Sequence, residues 1–326
     1  MRKPNLLVIC PPDHYALRNL DSIRDSANVF VSEDLAELEK HAPEAEIILY
    51  SGLTGKSVPL EQVWRRASHV KWVHSLAAGV DKVLFPALID SPVPVTNARG
   101  VFKRPLAEFA VLGMLYFYKH VRRLVDSQRM HRWDDFLVDR LDGKVMGVVG
   151  YGEIGRECAT LAQALGVKIY ATRRKPELSK ADPILDRIFP ATDLKDMLAE
   201  VDVLLAAAPL TPDTRHMLGE AEFRVMKTSA IVINVGRGPV IDEQALVRAL
   251  QEKRLAGAAL DVFETEPLSP DHPFWEMDNV LISPHCTDRT REPDWLDLTM
   301  QCFIDNFRRY KNEEPLMNVV DKRAGY

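Results

Sequence analysis

Apolar residues cluster in short runs rich in Val, Ile and Leu at 6–10, 47–50, 72–74, 145–149, 167–171, 203–205, 231–235, 258–262 and 280–282. Each run is too short for a core helix and most are bounded by Gly, Pro or polar residues, the signature of strands buried on both faces. Between them lie stretches with helical spacing. Residues 154–165 place Ile154, Cys158, Leu161 and Leu165 on one face, and 242–250 opens on a capping Asp242. Strands alternating with helices form βαβ units, so the expected class is α/β with doubly wound parallel sheets.

Two interruptions divide the series. A long apolar helix is expected from Pro105 to about Leu124, followed by a charged, aromatic stretch at 129–142 that reads as a connection. A new α/β unit opens at Lys144. After Pro284 the strand pattern stops, leaving one helix from about Pro293 to Arg309 that is free to return to the first domain. Residues 176–190 carry the weakest pattern.

Composition bounds the function. At 326 residues the chain exceeds what one core usually organises, so two domains are expected. With 46% hydrophobic and 27% charged residues it matches a soluble globular protein. The net charge of −5 comes from 42 basic and 47 acidic residues that are well mixed, which argues against nucleic acid or a membrane surface as partner. The longest apolar stretch, 109–118, is about half of what spans a bilayer. The N-terminal run stops at Pro11-Pro12, too short for a signal-peptide core. Cys10, Cys158, Cys286 and Cys302 form no CxxC pair, so no metal site is expected and the compartment reads as reduced and cytoplasmic.

The strand at 145–149 runs into Gly150-Tyr151-Gly152-Glu153-Ile154-Gly155 and then into a helix. That is GxGxxG in the setting its chemistry needs. The first glycine permits a tight turn, the second lets a pyrophosphate approach the backbone, the third lets helix and strand pack closely, and the helix N-terminus offers N–H groups and a positive dipole end. An NAD site would place Asp or Glu at the end of the next strand for the ribose 2′-hydroxyl. Here that strand ends in Thr172-Arg173-Arg174-Lys175. Two arginines suit a 2′-phosphate, so NADP(H) is expected to be preferred, with NAD(H) possible.

Three polar groups follow later strand ends: Arg237, Glu266 and His285. Ligands in doubly wound sheets bind outside the carboxyl ends of strands. Reduction of a keto acid needs a hydride donor, a proton for the nascent alkoxide and a cation for the carboxylate. A histidine beside a carboxylate supplies the proton, and arginine's planar fork matches the carboxylate and polarises the carbonyl.

The motifs Ser75-Leu76-Ala77-Ala78-Gly79-Val80-Asp81, Thr96-Asn97-Ala98-Arg99-Gly100-Val101, the loop at 150–155, Ala208-Pro209-Leu210-Thr211, Asn234-Val235-Gly236-Arg237-Gly238, Leu260-Asp261-Val262-Phe263-Glu264-Thr265-Glu266-Pro267-Leu268 and Ser283-Pro284-His285 occur in the order seen in one family. The chain resembles the D-isomer-specific 2-hydroxyacid dehydrogenases, which include glyoxylate/hydroxypyruvate reductases. The resemblance implies His285 as proton donor, Glu266 as its partner and Arg237 as substrate anchor. It implies backbone donors to the substrate carboxylate at Leu76, Ala77, Ala78 and Gly79. It also lines the cofactor with Ala208, Pro209, Thr214, Val235, Gly236, Arg237, Asp261 and His285.

It further implies a Rossmann coenzyme domain (99–289) inserted in a flavodoxin-like substrate domain (1–98 and 290–326), and a homodimer through the coenzyme domain that uses the apolar helix from Pro105 and the stretch around Trp133 and Phe136. Two departures stand out: Arg173 replaces the acidic ribose ligand, and Cys286-Thr287-Asp288-Arg289 follows the histidine where small residues are more common. A formate dehydrogenase is disfavoured because Glu266 stands where its histidine would have glutamine. A phosphoglycerate dehydrogenase-like enzyme and a dinucleotide-sensing corepressor-like binding protein are the alternatives.

Overall fold

The computed structural model describes residues 2–52 and 58–326. The chain divides into two compact units, one running to Val101 and resuming at Thr290, the other spanning Phe102–Arg289.

In the first unit the strands are β1 (Asn5–Ile9), β2 (Asn28–Ser32), β3 (Ile47–Tyr50), β4 (Trp72–Ser75) and β5 (Val95–Asn97). Among the described residues they form a parallel sheet in the order β2-β1-β3-β4-β5, the flavodoxin-like order. The apolar runs explain it, because side chains alternate across a strand and both faces must be covered. Leu7, Ile9, Ile48 and Val73 point to one core with Leu38, Val63 and Leu88 from the covering helices. Leu6, Val8, Ile47, Leu49 and Trp72 point to another, shared with Leu296, Met300, Phe303, Ile304 and Phe307. The last five lie on the helix Trp295–Lys311, so the C-terminal helix does close the first unit's core. Trp72 is fully buried and stacks on Phe303 and Tyr310 at ring-centroid distances of 5.3 and 5.8 Å.

The second unit contains β6 (Val145–Val149), β7 (Lys168–Arg173), β8 (Arg187–Pro190), β9 (Val203–Ala206), β10 (Ile231–Asn234), β11 (Gly257–Leu260) and β12 (Val280–Ile282). These are all parallel in the order β12-β11-β10-β9-β6-β7-β8, a Rossmann sheet extended by one strand. The order reverses at β6, which places β6 and β9 side by side at the switch point. Every residue of β9, β10 and β11 is buried, matching runs that are apolar apart from Asn234 at the end of β10.

Three strands escape the apolar-run pattern: β2, β5 and β8. All are sheet edges or short, and β2 and β8 are mostly half-buried or exposed, so burial does not demand an apolar run there. The expected helix at 105–124 is in fact two helices, Lys103–Tyr118 and Val121–Arg129. His120 adopts a left-handed conformation (φ 50°) between them, and no apolar pattern signals that break. The first helix packs across β10 and β11: a Cβ at Gly113 would lie 2.9 Å from the Ala259 Cβ.

His74, on β4, is completely buried. Its Nδ1 lies 2.6 Å from Thr96 Oγ1, which also accepts the Trp72 indole N–H at 2.8 Å, and its Nε2 is buried without a hydrogen-bond partner. Burial pushes this imidazole down to about 3. Because the folded form holds it neutral while the unfolded chain protonates it near 6.5, stability contributed by the neutral ring is complete above that value and is lost as pH falls toward 3. Denaturant unfolding between pH 7.5 and 4.5 is expected to show up to about 1.4 kcal/mol lost per pH unit from this group. His74→Gln should flatten that slope; an unchanged slope would show that the histidine does not control it.

Candidate active site

The glycine-rich loop behaves as its spacing requires. Gly150 has φ +92°, and a Cβ there would stand 2.5 Å from the Ala208 Cα, so only glycine lets β6 run past the end of β9. Gly155 likewise has no room for a side chain: its Cβ would sit 2.6 Å from the Gly150 carbonyl oxygen. Gly152 is the opposite case, with open space around the Cβ position, and it is the N-cap of the helix Glu153–Ala164. Two glycines tighten the turn and one leaves the backbone approachable, which is the cradle a dinucleotide pyrophosphate needs. Glu153, Ile154 and Gly155 form the first turn, whose N–H groups have no intrahelical acceptors.

The loop is anchored sideways. The N–H groups of Gly150 and Tyr151 both donate to the Thr172 carbonyl at 3.3 Å, and Thr172 is buried. The next residue, Arg173, ends β7 and donates to the buried Ser179 hydroxyl; Arg174 is exposed. No carboxylate stands at 172–175. On the other side of β6, the Thr214 hydroxyl donates to the Pro209 carbonyl at 2.6 Å and accepts the Thr211 N–H at 2.8 Å, fixing the turn after β9. Val235 and Gly236 continue from β10 close to that turn: Val235 N–H donates to Ala206 O, and a Cβ on Gly236 would lie 2.9 Å from Ala208 O.

Arg237, Glu266 and His285 come together on three neighbouring strand ends. His285 Nδ1 lies 2.7 Å from Glu266 Oε2, and Glu266 Oε1 accepts the Phe263 N–H at 3.0 Å. Gly238 presses on that same Phe263, where a Cβ would overlap the carbonyl carbon at 1.9 Å, so the Arg237 turn is seated directly against the loop that holds Glu266. Arg237 Nη1 donates to Gly236 O at 3.0 Å. The Glu266 hydrogen bond raises the His285 pKa above the ordinary imidazole value, opposed by partial burial and by the Arg237 charge. A carboxylate only accepts, so Nδ1 carries a proton toward Glu266 and Nε2 is left as the ring nitrogen that exchanges one.

Two side chains hold this set in place without appearing among the expected catalytic residues. Asn234, buried at the end of β10, accepts the Gly236 N–H at 3.1 Å and donates to the Arg237 carbonyl at 3.2 Å. Ser283 donates to Asp261 Oδ1 at 2.7 Å. Asp261 was expected on the cofactor; its Oδ1 here also takes the Cys286 and Thr287 N–H groups at 3.2 and 3.3 Å, bracketing His285, whose own φ is 52°. Only the spacing of Asn234 from Arg237 hinted at such a role. Burial raises the Asp288 carboxyl, partly offset by His285, so the unusual segment after the histidine adds an acid to the Glu266 and Asp261 already acting on that ring.

Leu76, Ala77, Ala78 and Gly79 lie in the first unit after β4. There Leu76 N–H donates to Tyr50 O and Ala77 N–H to Ser75 Oγ. Among the described residues no His, Cys, Asp and Glu cluster has the geometry to hold a metal ion, and no helix is long and apolar enough to cross a membrane.

Residues 111–287 match the family model described as D-isomer specific 2-hydroxyacid dehydrogenase, NAD binding domain. A glyoxylate reductase of Aeropyrum pernix is 36% identical over 241 residues, 70% of either chain. A glyoxylate/hydroxypyruvate reductase B of Salmonella schwarzengrund is 34% identical over 267 residues, covering 78% of this chain and 79% of the relative. Among solved structures, an NADPH-dependent glyoxylate/hydroxypyruvate reductase from Sinorhizobium meliloti, in complex with NADP and sulfate, superposes with a TM-score of 0.84 at 27% identity over 100% of both chains.

Glu266→Gln removes the acceptor that favours the protonated ring. The His285 titration, followed by NMR of its imidazole C–H signals, is expected to move to lower pH than in the parent protein. An unmoved midpoint would mean that Glu266 does not set the proton affinity of His285.

Proposed function

The chain belongs to the D-isomer specific 2-hydroxyacid dehydrogenase family, and we propose that it reduces small 2-keto acids of the glyoxylate and hydroxypyruvate kind to D-2-hydroxy acids, preferring NADP(H). Membership makes it an NAD(P)-dependent oxidoreductase. The observation that carries the rest is the pairing of His285 with Glu266 at 2.7 Å, in the same unit as the glycine cradle and beside the Arg237 turn. Gly150, Gly152 and the first turn of the helix Glu153–Ala164 would hold the pyrophosphate, and the bound dinucleotide would supply the hydride.

The chain's own groups then divide the work. Arg237 binds the substrate carboxylate and polarises the carbonyl, drawing electron density toward the oxygen. His285 delivers the proton from Nε2 to that oxygen, and Glu266 stabilises the imidazolium beforehand, so more of the donor form exists near neutral pH. Of the four residues expected to donate to the substrate carboxylate, Leu76 and Ala77 spend their N–H groups on Tyr50 O and Ser75 Oγ, so the assignment is kept for Ala78 and Gly79. Arg173, with Ser179 beside it and no acid at the end of β7, supports the NADP(H) preference.

Two further assignments belong to this reading. A second copy of the chain is assigned to the stretch 130–138, where Trp133 is 99% and Leu137 94% exposed, giving a homodimer through the dinucleotide-binding unit. The four cysteines are unpaired, which supports a reduced, cytoplasmic setting.

A panel of glyoxylate, hydroxypyruvate, pyruvate and bulkier 2-keto acids, assayed with NADPH and NADH, tests the substrate and cofactor assignments. The highest kcat/KM is expected with NADPH and the smaller acids; equal or better turnover with NADH would remove the preference. His285→Ala should lower kcat by about two to four orders of magnitude while NADPH still binds. Retained turnover in that variant would end the assignment of His285. Light scattering of Trp133→Ser/Leu137→Ser is expected to show monomers where the parent chain is dimeric. An unchanged mass would place the contact elsewhere.

A further inference from the structure

Asp182 lies in the weakly patterned stretch after β7, yet its carboxylate takes four hydrogen bonds. Arg156, on the helix that follows the glycine loop, forks onto it, with Nε donating to Oδ2 at 2.6 Å and Nη2 to Oδ1 at 3.2 Å. The hydroxyl of Tyr151, between the first two glycines, donates to Oδ2 at 3.2 Å, and the Ile184 N–H donates to Oδ1 at 3.2 Å. Tyr151 is 3% exposed and the Asp182 side chain 12%, so the Tyr151 bond is shielded from water and counts for more, while Arg156, half exposed, closes the clasp from the solvent side.

Four donors on two oxygens leave Asp182 no capacity to accept a ribose hydroxyl, and Arg156 neutralises its charge. It is therefore not a displaced version of the acid found in NAD sites. Its backbone has a different role. Asp182 N–H donates to Ser179 O at 3.0 Å, closing the turn whose Ser179 side chain receives the Arg173 guanidinium. Further along the same helix, Gln163 Nε2 donates to Ile184 O at 3.3 Å, a second tie between helix and segment.

We propose that Tyr151, Arg156 and Asp182 form a positioning clasp that fixes the Ser179 turn against the glycine loop, so that Arg173 and Ser179 are presented together to the 2′-phosphate of NADP(H). The inference rests on the NADP(H) reading given above. The clasp reaches the phosphate only through Arg173 and Ser179. Its loss therefore costs discrimination at the 2′-position more than affinity for the rest of the dinucleotide.

Calorimetric binding of 2′,5′-ADP and 5′-AMP separates the two, since they differ only in that phosphate. Asp182→Asn is expected to weaken 2′,5′-ADP about tenfold, the size of one charge-assisted hydrogen bond misplaced, and 5′-AMP by less than about twofold. Tyr151→Phe, which removes one donor and keeps the ion pair, should show a smaller change in the same direction; together with Arg156→Lys it carries the test if Asp182→Asn fails to fold. Equal losses for both ligands, or no loss, would overturn the clasp while leaving the cofactor preference standing. A parent protein that binds both ligands equally would overturn the NADP(H) reading and the clasp with it.

Discussion

Close backbone approach at the carboxyl ends of the parallel strands is the constraint on which this structure depends. Gly150 passes 2.5 Å, by its absent Cβ, from the Ala208 backbone, and Gly238 would drive a side chain into Phe263. The first contact joins the halves of the Rossmann sheet at the switch point and leaves the following helix with its N–H groups facing outward. The second seats the Arg237 turn on the loop that presents Glu266. Any side chain at either position separates elements that the proposed chemistry needs within hydrogen-bond reach.

Electrostatics then refine what packing places. His285 and Glu266 are only half-buried, which keeps the ring exchangeable, while Asp261 behind them is 1% exposed and spends Oδ1 on holding the histidine loop. The contrast separates a carboxylate that tunes proton affinity from one that organises backbone. Asp182 is a further case of the organising kind, saturated by its own neighbours. His74 shows the cost of burial without full satisfaction, in the other unit and far in sequence from the proposed catalytic residues.

Much of the fold was legible because parallel strands covered on both faces must be apolar throughout. Runs such as 203–205 and 231–235 have no other economical explanation, and the strand–glycine–helix succession at 145–155 is the pattern of a dinucleotide cradle. β2 and β8 were not legible, since an edge strand is stabilised by one neighbour and tolerates Asn28, Arg187 and Pro190. The break at His120 was hidden for a related reason: the apolar residues on either side fit one helix as well as two.

The sequence by itself determined the class of fold and the family, and it supplied the proposal for the cofactor loop and for Arg237, Glu266 and His285, because each rests on local pattern: a period, a glycine spacing, a motif a few residues long. Only the tertiary structure decided which oxygen of Glu266 meets His285 and which holds Phe263, that Asp261 braces the histidine loop, and that Asp182 gathers donors from residues 26 and 31 positions away. Those facts depend on distances between segments remote along the chain. Such distances are set by how strands, helices and glycine contacts pack together, and no window along the sequence contains them.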